Sequence, residues 1–328
     1  MTARQQPCYD GLLGGRTLLD RSIRPIKVVA PATTANLGPG YDCLGMALDI
    51  WNRLEVTSPG ANAGDGPPVE IIGEGSQELE TTGENLVHRS MAFLFREADR
   101  EMPPVHLKCH NEIPLARGLG SSAAAIAGGL VAANEICGQP FGSNDLLELA
   151  ATIEGHPDNV AAAVLGGLQL VLSEDQQLFT AAINVPPELH AVLFIPESRI
   201  STSDARAVLP QSVSRADALY NMSRTALLVA GMAANHPEYL SVATQDRLHQ
   251  PYRLPLFPAM KLLFRAAQDA GALAVFLSGS GSTVLALTQG REMTVAYEMA
   301  EAARQAGVPG RLKVTQPTLW GAHEVDIE

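Results

Sequence analysis

The segment Pro114-Leu-Ala-Arg-Gly-Leu-Gly-Ser-Ser-Ala-Ala124 constrains this chain more than any other. It leads from an alternating strand pattern, Val105 to Cys109, into Ser121 to Ile136, which is rich in small residues and apolar on nearly every side, as a buried helix would be. Gly118 and Gly120 permit backbone angles closed to other residues, so successive amides of the loop can point one way. The first four N–H groups of a helix lack intrahelical partners, and its dipole places about half a positive charge there, so a helix starting at Ser121 favours an anion. Ser121 and Ser122 add hydroxyls suited to a phosphate oxygen or to Mg²⁺. The same residues also read as a tight turn with Ser121 capping the helix. Gly118 to Ala123 satisfies the dinucleotide pattern G-x-G-x-x-G/A as well. However, His110, Asn111, Glu112, Pro114 and Arg117 stand where that fingerprint needs an apolar strand, and no acidic residue ends a second strand about 20 positions on. The pattern G-x-x-x-x-G-K-[ST] is absent, which excludes a standard P-loop kinase.

A chain of 328 residues exceeds what one hydrophobic core usually serves, so two domains sharing a cleft are expected. The net charge of -12, with no cluster of Lys or Arg, argues against nucleic acid or an anionic membrane as partner. It also means that an anionic nucleotide must be met by local features, such as a helix N-terminus, a divalent cation or an arginine. Cys8, Cys43, Cys109 and Cys137 are widely separated, so neither a zinc site nor a disulfide framework is indicated and a reducing cytoplasm is expected. The longest apolar stretches, Ala123 to Ala133 and Val160 to Leu168, are too short to span a membrane, so a soluble protein is expected.

Residues 1 to 24 lack periodicity and read as an N-terminal extension, followed by an N-terminal domain over 25–175 and a C-terminal domain over 176–328. Ile26 to Ala30 reads as a strand, Pro31 to Gly40 as a glycine-rich turn and Leu44 to Val56 as extended structure. Helical spacing marks Asn85 to Arg100 and Leu146 to Glu154, and Asn159 to Leu172 turns through Gly166 and Gly167 into a strand. Beyond Leu178, strands are expected at Ala191 to Ile195, Ala274 to Leu277 and Thr283 to Leu287, with helices around Asp217 to Ala234 and Ala259 to Ala270. Mixed strands and helices in both halves give an α+β class.

Three stretches together resemble the GHMP kinases, the small-molecule kinases for galactose, homoserine, mevalonate and phosphomevalonate. They are Ala30-Pro-Ala-Thr-Thr-Ala-Asn-Leu-Gly-Pro-Gly-Tyr-Asp-Cys-Leu-Gly45, the loop at Pro114 to Ala124, and Ser278-Gly-Ser-Gly-Ser-Thr283. The first, with Glu154-Gly-His-Pro-Asp-Asn-Val160, is similar to the homoserine kinases in particular. The resemblance covers roughly residues 26 to 320 and keeps the family's motif order. It implies a ribosomal-protein-S5-like N-terminal domain with a left-handed crossover, a ferredoxin-like C-terminal domain and ATP lying across the loop between them. ATP contacts would then come from Pro114, Leu115, Ala116, Arg117, Gly118, Leu119, Gly120, Ser121, Ser122, Ala123 and Ala124, with Asn85 on the adenine side. Ser122 and Glu154 match the family's Mg²⁺ ligands, and a hydroxyl with a carboxylate suits a hard cation that keeps several waters.

Homoserine is a zwitterion with a reactive hydroxyl. Asn36 and Asp42 match the family's acceptor-binding positions, with Asp42 facing the ammonium, although Asn and Asp also favour such loops for turn chemistry. Arg206 and Arg253 match its carboxylate-binding arginines, where bidentate pairing is beyond a lysine; Arg247 stands close by as a competitor. His156, Asp158 and Asn159 follow Glu154 closely enough to share its site, and His156 resembles an acceptor-binding residue. Thr202 lies where the family places a hydroxyl near the γ-phosphate. Phosphoryl transfer has a loose transition state, so Asn159 is expected to position the acceptor hydroxyl without any side chain removing its proton early. The reaction implied is ATP-dependent phosphorylation of L-homoserine, a step toward threonine. A kinase for mevalonate, shikimate or a sugar, or a non-catalytic nucleotide-binding relative, stays open beside it, as does a homodimer.

Overall fold

A computed structural model describes residues 23–59, 68–175 and 177–326. Cys8 and most of the N-terminal extension lie outside the described residues. The glycine-rich turn after Pro31 is shorter than the sequence suggests, because strand β1 (Ile26–Asn36) continues through it and pairs antiparallel with β2 (Gly40–Thr57). Only Leu37, Gly38 and Pro39 separate the two strands. Gly38 is required there, since its φ is +84° and a Cβ would meet the Thr244 carbonyl oxygen at 2.0 Å.

Besides β1, the long β2 serves two further partners. Its second half pairs with β4 (His106–Asn111), and its first half, Leu44 to Met46, pairs with β5 (Leu168–Glu174). β3 (Val69–Gly73) lies parallel to β4, joined to it through helix α1 (Leu86–Glu97). Sheet pairing carries on past residue 175, with β6 (Gln177–Ile183) bonded to β5, and the C-terminal strand β11 (His323–Val325) returns to β1. Helices α2 (Ser121–Ile136), α3 (Ser143–Glu154) and α4 (Pro157–Leu165) pack behind this sheet. The small residues of α2 have a packing reason: a Cβ on Gly129 would stand 2.6 Å from the Val87 carbonyl oxygen of α1. The chain turns through Gly166 and Gly167 into β5, but the stretch before them is helix α4, whose run of Val160 to Val164 is buried and apolar all round and shows no polar face to betray a helix.

The second sheet orders β10 (Gly310–Thr315), β7 (His190–Pro196), β9 (Val284–Thr288) and β8 (Ala274–Leu277), all antiparallel. Between β7 and β8 run α5 (Thr202–Ala207), α6 (Arg215–Ala233), the single turns α7 (Leu240–Ala243) and α8 (Gln250–Arg253), and α9 (Met260–Asp269); α10 (Glu292–Gln305) joins β9 to β10. The main elements thus follow the β-α-β-β-α-β order of a ferredoxin-like unit. Strands β7, β8 and β9 are apolar on both sides because both are covered, whereas β10 is largely exposed. Val192, Phe194, Val275 and Val284 pack on α9 and α10, whereas Leu193, Ile195, Phe276 and Leu285 share a core with Leu44, Met46 and Leu48 of β2 and Leu228 of α6. One continuous core therefore ties the domains together beneath the glycine-rich segments. At an order of 25 cal/mol per Å² of apolar surface, such burial is the main force fixing one domain against the other.

Candidate active site

The loop from Pro114 to Gly120 is held in an unusual shape by its neighbours. Ala116, Gly118 and Gly120 all have positive φ, at 52°, 73° and 67°. A Cβ on Gly118 would meet the Ser278 carbonyl oxygen at 2.0 Å, and one on Gly120 would meet Thr33 Oγ1 at 1.9 Å. The Thr33 amide donates to the Leu119 carbonyl at 3.0 Å, and the Ser278 hydroxyl donates to the Gly118 carbonyl at 2.6 Å while its oxygen lies 2.8 Å from the Thr34 hydroxyl. The loop is therefore clamped between β1 and the turn at Ser278 to Thr283. α2 opens with no side-chain cap from Gly120 and no acid in its first turn, which leaves its N-terminal amides available to an anion.

Beside it lies a cavity of about 450 Å³ lined by Leu115, Ala116, Ser121, Ser122 and Ala124 from the loop and helix, and by Asn85, Leu86 and Val87 from α1. Leu119 and Ala123, in contrast, are buried in the core. Asn85 caps α1, accepting from the Val87 amide at 2.9 Å and donating to the Glu80 carbonyl at 2.7 Å. The Arg117 guanidinium is engaged by main-chain carbonyls. Its Nε, Nη1 and Nη2 donate to the carbonyls of Pro196, Leu115 and Glu197 at 2.7, 3.0 and 2.9 Å, which ties the loop to the end of β7 and the residue after it.

The Ser122 hydroxyl donates to Glu154 Oε1 at 2.6 Å, joining the first turn of α2 to the end of α3. Two hard oxygens at the edge of this cavity suit a hard cation such as Mg²⁺. Among the described residues no cluster of three or more His, Cys, Asp or Glu is placed to hold a metal by itself. Next along the chain, His156 Nδ1 lies 3.1 Å from Asp158 Oδ1, and that contact, ahead of the opposing effect of burial, raises the histidine's pKa. Asp158 is buried and accepts from the Asn159 amide at 2.8 Å and from Asn159 Nδ2 at 3.3 Å, while Asn159 Oδ1 accepts from the Thr33 hydroxyl at 2.8 Å. Asn159 is thus oriented from both ends.

Asp42 and Arg206 meet directly. Arg206 Nη2 and Nη1 donate to Asp42 Oδ1 and Oδ2 at 2.8 and 2.9 Å, and the pair holds the guanidinium pKa above its ordinary value. Arg253 is buried, and desolvation lowers its pKa; it donates from Nη1 to His249 Nδ1 and to the Gly279 carbonyl, at 3.0 and 2.9 Å, and from Nε to the Ala205 carbonyl at 3.1 Å. Arg247 instead stacks on Tyr220 and pairs with Asp217, away from these contacts. Asn36 is bound into the main chain by both of its amide atoms, since Nδ2 donates to the Gly279 carbonyl at 2.9 Å and Oδ1 accepts from the Asp42 amide at 3.0 Å. Its role in the structure is to shape the turn that carries Asp42. Thr202 is exposed at the start of α5 and makes no side-chain hydrogen bond among the described residues.

Two residues that sequence reasoning missed complete the arrangement. Tyr41 lies between the arginines, 5.6 Å from the Arg206 guanidinium and 5.5 Å from that of Arg253, and its hydroxyl accepts from Arg206 Nη1 at 2.9 Å. Burial, then the Asp42 charge, raises the phenol's pKa. His249 is fully buried; its Nε2 donates to the Gly38 carbonyl at 2.6 Å, which leaves Nδ1 to accept from Arg253. The only signal for either was proximity in sequence to Asp42 and Arg253.

From residue 85 to 167 the sequence matches the family model of the GHMP kinases N terminal domain, and from 218 to 308 that of the GHMP kinases C terminal. Over 295 residues it is 45% identical to the homoserine kinase of Moorella thermoacetica, a match covering 90% of this chain and 98% of that one. It is 42% identical over 286 residues to the homoserine kinase of Synechocystis sp., covering 86% of this chain and 92% of that one. In structure it is similar to the homoserine kinase of Cytophaga hutchinsonii, with a TM-score of 0.82 and 29% identity over 96% of this chain and 100% of that one.

Proposed function

This chain belongs to the GHMP kinase family, and we propose on that premise that it transfers the γ-phosphoryl group of ATP to the side-chain hydroxyl of L-homoserine, giving O-phospho-L-homoserine and ADP. A bond forms between the homoserine oxygen and the γ-phosphorus, the bond from that phosphorus to the β-phosphate oxygen breaks, and the hydroxyl proton leaves to solvent. The observation that carries this reading is the juxtaposition of two sites of opposite chemistry. The Ser122–Glu154 pair stands at an open helix N-terminus, and the Asp42–Arg206 pair stands beside Asp158, whose charge acts on the Arg206 guanidinium.

The nucleotide occupies the cavity between α1 and the loop, with its phosphates at the amides of α2. Ser122 and Glu154 would hold Mg²⁺, which when bound would supply neutralisation of phosphate charge. Asp42 takes the acceptor's ammonium, and Arg206 and Arg253 take its carboxylate; a ligand carrying both charges can exchange partners with the existing ion pair without leaving either side chain unpaired. Asn159, fixed by Thr33 and Asp158, directs the acceptor hydroxyl, and the transfer rests on positioning and electrostatics. The assignments of Asn36, His156 and Thr202 follow the family pattern: Asn36 shapes the Asp42 turn, His156 lines the acceptor side, and Thr202 supplies a hydroxyl toward the γ-phosphate. A cytoplasmic location is in keeping with the free thiols of Cys43, Cys109 and Cys137.

The deciding experiment measures coupled ADP release with Mg-ATP against homoserine, mevalonate, shikimate and galactose. Turnover confined to homoserine is expected. Silence with homoserine, or a larger kcat/KM with any of the uncharged or singly charged acceptors, refutes the reading.

A further inference from the structure

The segment joining β3 to α1 has two sides. Leu79, Glu80 and Glu84 line the cavity assigned above to the nucleotide, whereas Glu74 and Glu78 line a cleft between the domains, opposite Arg199 and Arg311. Arg199 Nη1 and Nη2 donate to Glu78 Oε2 and Oε1 at 2.5 and 2.7 Å, and Arg311 of β10 pairs with Glu74. The stretch that carries Arg199 also grips the phosphate loop. Pro196 and Glu197 accept from Arg117, the Ile200 amide donates to the Ala116 carbonyl at 3.3 Å, and Ser198 accepts from Ser282. Residues 196–200 of the C-terminal domain thus fasten two separate walls of one cavity, the loop below and the Glu74–Glu84 segment beside it.

We propose that Arg199 and Arg311 are positioning residues for the nucleotide. By holding Glu78 and Glu74 they fix the wall formed by Leu79, Glu80 and Glu84, so these two arginines of the C-terminal domain tune ATP affinity without touching ATP. The proposal rests on the reading of that cavity as the nucleotide site. An ordered wall removes part of the ordering cost of binding. Pairs this exposed are individually weak and are screened by salt, so the effect is modest and depends on ionic strength.

The test uses the full chain with Arg199→Ala and Arg311→Ala combined, measuring steady-state kinetics and direct ATP binding at about 0.05 M and about 0.5 M salt. The expected result is a KM and Kd for ATP raised about three- to tenfold at low salt, with kcat and the homoserine KM unchanged, and a gap to wild type that narrows at high salt. Exchanging the charges, Arg199→Glu with Glu78→Arg, restores ATP affinity. Unchanged ATP affinity at low salt overturns the proposal, as does a loss shared equally by kcat and both KM values, which marks general damage to the fold. Ala125→Phe, which fills the cavity, tests the underlying assignment separately. If ATP still binds that variant as tightly as wild type, the cavity is not the nucleotide site and the proposal falls with it.

Discussion

Arg206 grips Asp42 through both terminal guanidinium nitrogens, at 2.8 and 2.9 Å, although 164 residues separate them and they come from different domains. The sequence pattern gives each a separate role, one for an ammonium and one for a carboxylate. In the fold they form a single element of opposed charges, complementary to a zwitterion. A hydrogen bond to a charged group contributes about 1.5–3 kcal/mol, so Arg206→Ala is expected to raise the homoserine KM about tenfold to a hundredfold, with little change in the ATP KM. Arg206→Lys should recover little of this, because an ammonium cannot reproduce the paired geometry. Initial-rate kinetics with each substrate varied decide it. A rise confined to the ATP KM contradicts the assignment.

The Ser122–Glu154 contact joins two helices beside the helix N-terminus proposed to receive the phosphates. Glu154→Gln keeps the shape and one acceptor oxygen while removing the charge. Its kcat is expected to fall about a hundredfold to a thousandfold, and the Mg²⁺ concentration for half-maximal rate to rise. Ser122→Ala should shift Mg²⁺ dependence in the same sense but less far. A Mg²⁺ titration identical to wild type in both variants removes these residues from the metal site.

The loop and α2 were legible because their signal is local: two glycines, two serines and an apolar run lie within a few turns of each other. Gly118 and Gly120 were readable as conformational requirements, and the structure adds that Ser278 and Thr33 leave no room for a Cβ. Asn36 and Arg117 were less transparent. Both carry groups able to bind a ligand, yet their side chains are engaged by main-chain atoms distant in sequence, Gly279 for Asn36 and Pro196 and Glu197 for Arg117. Tyr41 and His249 went unseen for the same reason. Their meaning lies in partners, Arg206 and Gly38, that are 165 and 211 residues away. Residue type announces what a side chain is able to do, and only the tertiary neighbours decide whether that capacity is already occupied.

Asp158 distinguishes positioning from proton abstraction. It is buried, and one of its oxygens is engaged by His156 and by both nitrogens of Asn159. Asp158→Asn retains an acceptor there and removes the charge, so the geometry of Asn159 should largely survive. A fall in kcat of less than about a thousandfold is expected, the range left when a general base is not essential. The same change should return the His156 pKa toward its ordinary value, because Asp158 is the largest cause of its rise. A greater loss of kcat, with folding and ATP binding intact, shows that Asp158 removes the proton.

His249 makes the acceptor side sensitive to acid. Burial pushes its pKa down to about 4 and Arg253 pushes the same way, against the opposing pull of Asp246, the hydrogen bond to Gly38 and Asp42. Between that value and about 6.5 the unfolded chain binds a proton that the folded chain refuses, so acid favours unfolding across this window. The stability that the neutral histidine supplies is therefore fully present above about 6.5 and is lost as the pH falls toward 4, by on the order of a few kcal/mol. Protonation would also place a second donor against Arg253 and break the hydrogen bond to Nδ1. His249→Gln lacks this titration. It is expected to be less stable than wild type at neutral pH, with a difference that shrinks steadily as the pH falls through the window. Denaturant unfolding of the two proteins at matched pH values measures that difference directly, and a constant gap from neutral pH to about 4 shows that His249 does not titrate as its burial requires.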